Sequence, residues 1–173
     1  KPEQAQSLTP VEASALPDLS FQFWNKIDLT AIPSPQFVYS DFYALGYTSL
    51  TVAPPKVGKS MLALAEAIDI ATGKGILTGY KREPLRVLYY NAEDDQDVLN
   101  SRVSALLTHY QIEQTDIIGT LMSVSGIDHD DFWLIGCPNG TINELLFAKL
   151  EKLITVNKID VVIFDPLQDL SRS

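Results

Sequence analysis

One short stretch limits the fold of this chain more than any other: Ala53-Pro54-Pro55-Lys56-Val57-Gly58-Lys59-Ser60-Met61, "APPKVGKSM". Its Gly-Lys-Ser matches the end of the phosphate-binding loop pattern G-x-x-x-x-G-K-[ST], with Ala53 standing where the pattern has its first glycine. The chemistry of such a loop dictates its surroundings. A strand must deliver the chain and a helix must carry it away, because successive backbone N–H groups then point inward and the helix N-terminus adds about half a positive charge. Gly58 lets the backbone approach a phosphate closely, Lys59 reaches the β- and γ-phosphates, and the Ser60 hydroxyl can ligate Mg²⁺. Ala53 lies at the strand exit; if that site demanded positive φ, alanine would cost on the order of 1 kcal/mol, which weakens the loop without abolishing it. Pro54 and Pro55 lack N–H groups but pre-set the turn.

The rest of the chain supplies the elements this loop requires. "YTSLTVA" (47–53) predicts a strand, and Lys59 to Thr72 a helix with a broad apolar face stopped by Gly73. "RVLYYNA" (86–92) is a nearly continuous apolar run, the mark of a strand covered on both faces. Asp94 or Asp95 caps a helix with the stripe Leu99, Val103, Leu106, Leu107 and Tyr110. "TLMSVSG" (120–126) predicts a further strand. Thr141 and Glu144 read as a capping box opening a helix with Leu145, Leu146, Leu150, Leu153 and Ile154 inward, and "IDVVIFD" (159–165) predicts the last strand. Strands separated by helices of this length imply a parallel sheet in a three-layer α/β/α domain. Residues 1–20, rich in Pro, Ser, Ala, Glu and Gln, read as a flexible arm, and 21–46 as an aromatic-rich lead-in packed on the core that occupies 47–173.

Two carboxylates fall where such a sheet binds ligands, at the carboxyl ends of its strands. Asp165 follows four apolar residues and can hold the water shell of a magnesium ion. Glu93, at the tip of "RVLYYNAED", is a candidate general base for polarising water. The chain's 173 residues and 46% hydrophobic content suit one globular domain. Its formal net charge of -9 argues against a surface that coats nucleic acid, although a small basic loop is compatible with it. The longest charge-free run, Phe42 to Pro55, is too short to span a bilayer. Lone Cys137 cannot form an internal disulfide, and no leader opens the chain, so a cytoplasmic location is expected.

The segments "VAPPKVGKSMLALAEAIDIATG", "RVLYYNAEDDQDVLNSRVSAL" and "IDVVIFDPLQDL" together resemble the RecA-like AAA-domain ATPases, close to the RepA-type hexameric replicative helicases of plasmids and phages. The resemblance runs over about residues 36 to 170 and includes the lead-in "FVYSDFYALGYTSLTVA". It implies that Lys59 and Ser60 are the Walker A pair, Asp165 the Walker B carboxylate and Glu93 the water-activating glutamate. It further implies an ATPase with ATP and Mg²⁺ as ligands, a homo-oligomeric ring, possibly of six subunits, single-stranded DNA as a partner, and no membrane. In that family the strand after Walker B lies between the Walker A and Walker B strands. With Ser173 immediately after Walker B, the sheet is expected to lack that central strand.

Other residues are set aside. The cluster Asp128-His129-Asp130-Asp131 lacks spacing that puts ligands on one face. His109 suits a helix C-terminus, and Asp169 a surface turn. A nucleotide-binding switch with little hydrolysis is the competing function; a small-molecule kinase is disfavoured by the lack of an arginine-rich lid.

Overall fold

A computed structural model describes residues 28–129, 132–136 and 140–172. The arm expected over 1–20, the aromatics Phe21, Phe23 and Trp24, the pair Asp130 and Asp131, and Cys137 lie outside the described residues. The chain divides into two units, Lys1–Pro35 and Gln36–Ser173. Of the first, the described part makes one 3-10 turn, Leu29–Ala31, whose cap Asp28 accepts from the Thr30 N–H at 2.9 Å.

The second unit opens with a small hairpin of β1 (Phe37–Tyr39) and β2 (Tyr43–Ala44). Of the lead-in aromatics, Tyr39 is buried and Tyr43 half-buried in the main core, and their hydroxyls donate to Asp69 (3.1 Å) and Glu66 (2.9 Å). Helix α1 (Lys59–Thr72) has the bounds its apolar spacing predicts. It ends at Gly73 because this residue takes φ 64°, and any Cβ there would sit 2.1 Å from the carbonyl oxygen of Arg82. Strand β3 (Val87–Asn91) is buried at every residue, which explains its lack of polar alternation. Helix α2 (Gln96–Tyr110) is capped by Asp95, which accepts from the Val98 N–H at 2.8 Å.

Strand β4 (Leu121–Ser125) follows, then β5 (Ile135–Gly136), β6 (Thr141–Ile142), α3 (Glu144–Asn157), β7 (Val161–Asp165) and β8 (Ser171–Arg172). The main sheet is parallel, in the order β4-β3-β7, and its register pairs Asn91 with Ser125 on one side and Asp165 on the other. Helices α1 and α2 cover the face carrying Val87, Tyr89, Val161 and Ile163. Helix α3 lies over the other face, across an apolar cavity of about 460 Å³ lined by Tyr90, Phe164, Leu146 and Leu150 among others. The domain is therefore a three-layer α/β/α fold with a parallel sheet. A second sheet, β6-β5-β8, stands apart. Burying side chains such as Leu64, Ile68 and Leu99 contributes about 1.5–3 kcal/mol each.

Two expectations need correction. Residues 47–53 form no strand: no described segment pairs with them, so Tyr47, Leu50 and Val52 stay exposed. The outer edge of β7 and Thr48 to Thr51 line a cleft of about 190 Å³, and no ladder joins them. Among the described residues, no strand occupies the place that the resemblance gives to the one after Walker B. Second, Thr141 does not cap α3. It sits in β6, and Asn143 caps instead, its Oδ1 accepting from the Leu146 N–H at 3.2 Å. Glu144 thereby becomes the first helical residue, and Leu145 points outward, exposed.

Candidate functional site

The loop from Ala53 to Ser60 turns on two residues with positive φ, Lys56 (65°) and Gly58 (93°). Backbone turned this way at alternate positions aims N–H groups into a shared concavity, the geometry that holds anions. Gly58 is also the N-cap of α1 and offers no side chain to the helix, so the first-turn amides, those of Ser60 and Met61 among them, have no capping side chain. Those donors and the helix dipole suit a phosphate group. Ala53 is absent from the positive-φ residues, so alanine is unstrained where the pattern has glycine. The Lys59 ammonium donates to the Ala53 carbonyl at 3.1 Å, closing the loop across its mouth.

Lys59 and Asp165 line the same cleft between residues 48–51 and β7, together with Glu66 and Tyr43. The larger apolar cavity under α3 contains no loop residue, and the loop rather than cavity size marks the site. Asp165 is screened from solvent. It is buried at the carboxyl end of β7, where its Oδ2 accepts from the Tyr89 hydroxyl at 2.7 Å and from Asn91 Nδ2 at 3.2 Å. Burial, followed by the neighbouring Asp165 carboxylate, holds the Tyr89 hydroxyl above the usual tyrosine range, so it stays a neutral donor, although the hydrogen bond from Asn91 opposes this. The same hydroxyl lies 3.4 Å from the Ser60 carbonyl, linking loop to sheet.

Glu93 sits in the turn after β3, exposed, and its N–H is held by Asn91 Oδ1 at 3.0 Å. Asp94 beside it is anchored to Arg102 through a guanidinium–carboxylate pair, and its carbonyl accepts from the Ser125 hydroxyl at 2.9 Å. Asp165 and Glu93 thus both lie at the carboxyl edge of the sheet, and Lys59 of the loop shares a cleft with Asp165. Sequence reasoning missed Tyr89, Asn91, Ser125 and Arg102. Asp169 is an exposed residue of a 3-10 turn, His109 closes α2, and no group of three or more metal-ligating side chains occurs among the described residues.

A helix-capped, lysine-bearing loop at the edge of a parallel α/β/α sheet defines the P-loop class of fold. The chain matches the family described as AAA domain over residues 10–173, and it belongs to that family of nucleotide-binding ATPases. No curated protein matches it. No helix among the described residues is long and apolar enough to cross a membrane.

Proposed function

We propose that this domain binds and hydrolyses ATP with Mg²⁺, using Lys59, Ser60, Asp165 and Glu93. The observation that supports this most strongly is the convergence of an uncapped helix N-terminus, a lysine and a buried carboxylate on one sheet edge. In this reading the inward amides of Lys56 to Met61 cradle the phosphates, and Lys59 exchanges its bond to the Ala53 carbonyl for β- and γ-phosphate oxygens. Ser60 supplies a hydroxyl ligand for Mg²⁺, and Asp165 accepts from its water shell. The metal, when bound, neutralises charge on the transferring phosphoryl group. Glu93, free of side-chain hydrogen bonds to the described residues, takes the proton from the attacking water.

At a finer level, the resemblance to RepA-type helicases supports a cytoplasmic motor that assembles as a homo-oligomeric ring, possibly a hexamer, and moves on single-stranded DNA. Given the net charge of -9, DNA contact falls to a local basic loop rather than to the whole surface.

The test is ATP turnover by the whole protein with and without single-stranded DNA, alongside Lys59→Ala and Glu93→Gln. Expected are loss of nucleotide binding in the first variant, and retained binding with turnover at least two orders of magnitude lower in the second. Stimulation of the wild type by single-stranded DNA supports the motor; ATP binding with no turnover favours a nucleotide-controlled switch instead.

A further inference from the structure

We propose that Asn91 is a positioning residue that couples the two catalytic carboxylates of this site, an inference that rests on the reading of Asp165 and Glu93 given above. Asn91 is the last residue of β3, the central strand, and is fully buried. A buried primary amide is costly unless its hydrogen bonds are made, and here all lead to the site. Nδ2 donates to Asp165 Oδ2 at 3.2 Å and to the Tyr89 hydroxyl oxygen at 3.3 Å. Oδ1 accepts from the N–H of Glu93 at 3.0 Å and of Asp94 at 2.7 Å.

This arrangement admits only one orientation of the amide. Flipping it would set an NH₂ group against two backbone donors and an oxygen against a carboxylate. Aspartate in the same place would keep the Glu93 turn but would put a second negative charge beside Asp165. Asparagine alone among similar residues donates to the carboxylate and accepts from the turn. Both inner donors, Tyr89 and Asn91, converge on Asp165 Oδ2, which leaves Oδ1 without a donor among the described residues and open to a metal's water shell. The backbone of the Glu93 turn is fixed from the other end of the same side chain. One planar group thereby sets the spacing between the residue that holds metal and the residue that activates water.

Asn91→Asp, Asn91→Ser and Tyr89→Phe test this, after thermal melts show which variants fold. In Asn91→Asp the Mg²⁺ concentration for half-maximal turnover should shift at least tenfold, while binding of a fluorescent ATP analogue without metal should change less than threefold. Tyr89→Phe should shift the Mg²⁺ requirement alone. Asn91→Ser should lower kcat at least tenfold in the wild-type background but less than threefold in Glu93→Gln, because its effect runs through Glu93. Merely structural damage would lower metal-free binding as well and would act equally in both backgrounds. If the wild type binds ATP without turning it over, Mn²⁺ affinity in the presence of ATP replaces the Mg²⁺ readout. Unchanged metal dependence in Asn91→Asp and Tyr89→Phe, or an equal kcat loss in both backgrounds, overturns the coupling and leaves the ATPase reading intact. A wild type that binds no Mg²⁺-ATP overturns both.

Discussion

Backbone geometry separates the two positions at which a phosphate loop conventionally carries glycine, and exchanging alanine and glycine at each should show it. Gly58 has φ 93° and ψ 19°, whereas Ala53 is outside the left-handed region. Alanine at Gly58 meets no atom within 4 Å, so its cost is conformational alone. That cost is roughly 1–2 kcal/mol for an L-residue held left-handed. About 0.4–1 kcal/mol returns through restriction of the unfolded chain. The net loss of about 1 kcal/mol corresponds to a fall in Tm of about 2–4 °C at this size. Ala53→Gly has no strain to relieve and only loosens the unfolded chain, losing about 0.4–1 kcal/mol. Both variants melt earlier, and affinity distinguishes them. Gly58→Ala relaxes away from the turn that aims the amides inward, and should weaken ATP at least tenfold, or about 1.4 kcal/mol. Ala53→Gly should change affinity less than tenfold. Nucleotide-free melts and titration with a fluorescent ATP analogue measure both quantities. A higher Tm with much tighter ATP binding in Ala53→Gly, or wild-type affinity in Gly58→Ala, would refute the argument that φ, rather than the sequence pattern, governs the loop.

Glu66 gives a pH test: burial raises its carboxyl above the ordinary value, while the hydrogen bond from Tyr43 opposes that shift. The folded state keeps this proton to higher pH than the unfolded chain, so the stability it contributes is full below the ordinary carboxylate range and is lost as pH rises through the folded value. Glu66→Gln, which retains an acceptor for Tyr43, should flatten the decline in Tm as pH rises above the ordinary carboxylate range; equal slopes in both proteins would falsify the assignment. Gly73→Ala combines left-handed strain with a Cβ driven against the Arg82 carbonyl, and should cost about 3 kcal/mol in chemical denaturation, whereas a loss below about 1 kcal/mol would mean that the backbone shifts freely.

What was legible in the sequence was whatever local chemistry decides. The limits of α1 follow from a loop that must end in a helix and from a glycine that must stop it, and both hold in the structure. Strands β3 and β7 were visible as apolar runs because burial removes polar alternation, whereas β4 carries Ser123 and Ser125 among its apolar residues. Residues 47–53 carry the same β-branched and aromatic composition, yet composition describes fitness for a sheet, not the presence of a neighbour to pair with. The start of α3 was misplaced for a related reason. Thr141 and Asn143 are both good caps, and only pairing with β5 withdraws Thr141 into a strand. The two-residue strands β5, β6 and β8 are too short to carry any period.

The site was legible as separate residues and not as a connected unit. Lys59, Glu93 and Asp165 each announce themselves by position at a strand or helix end, but Asn91 reaches Asp165 across a separation of 74 residues, which no local window contains. A physical clue was nevertheless present. "VLYYN" predicts a strand covered on both faces, so the amide of Asn91 and, two residues earlier on the same face, the hydroxyl of Tyr89 had to find buried partners. Parallel pairing brings the carboxyl ends of neighbouring strands together, and the neighbour ends in Asp165. A neutral donor pair on the central strand and a carboxylate on the adjoining one satisfy each other, whereas an apolar residue at 91 would leave Asp165 with Tyr89 as its one side-chain donor among the described residues and the Glu93 turn without its side-chain acceptor. A polar residue inside an apolar strand is therefore the feature from which the link between the two carboxylates could have been inferred before any coordinates were available.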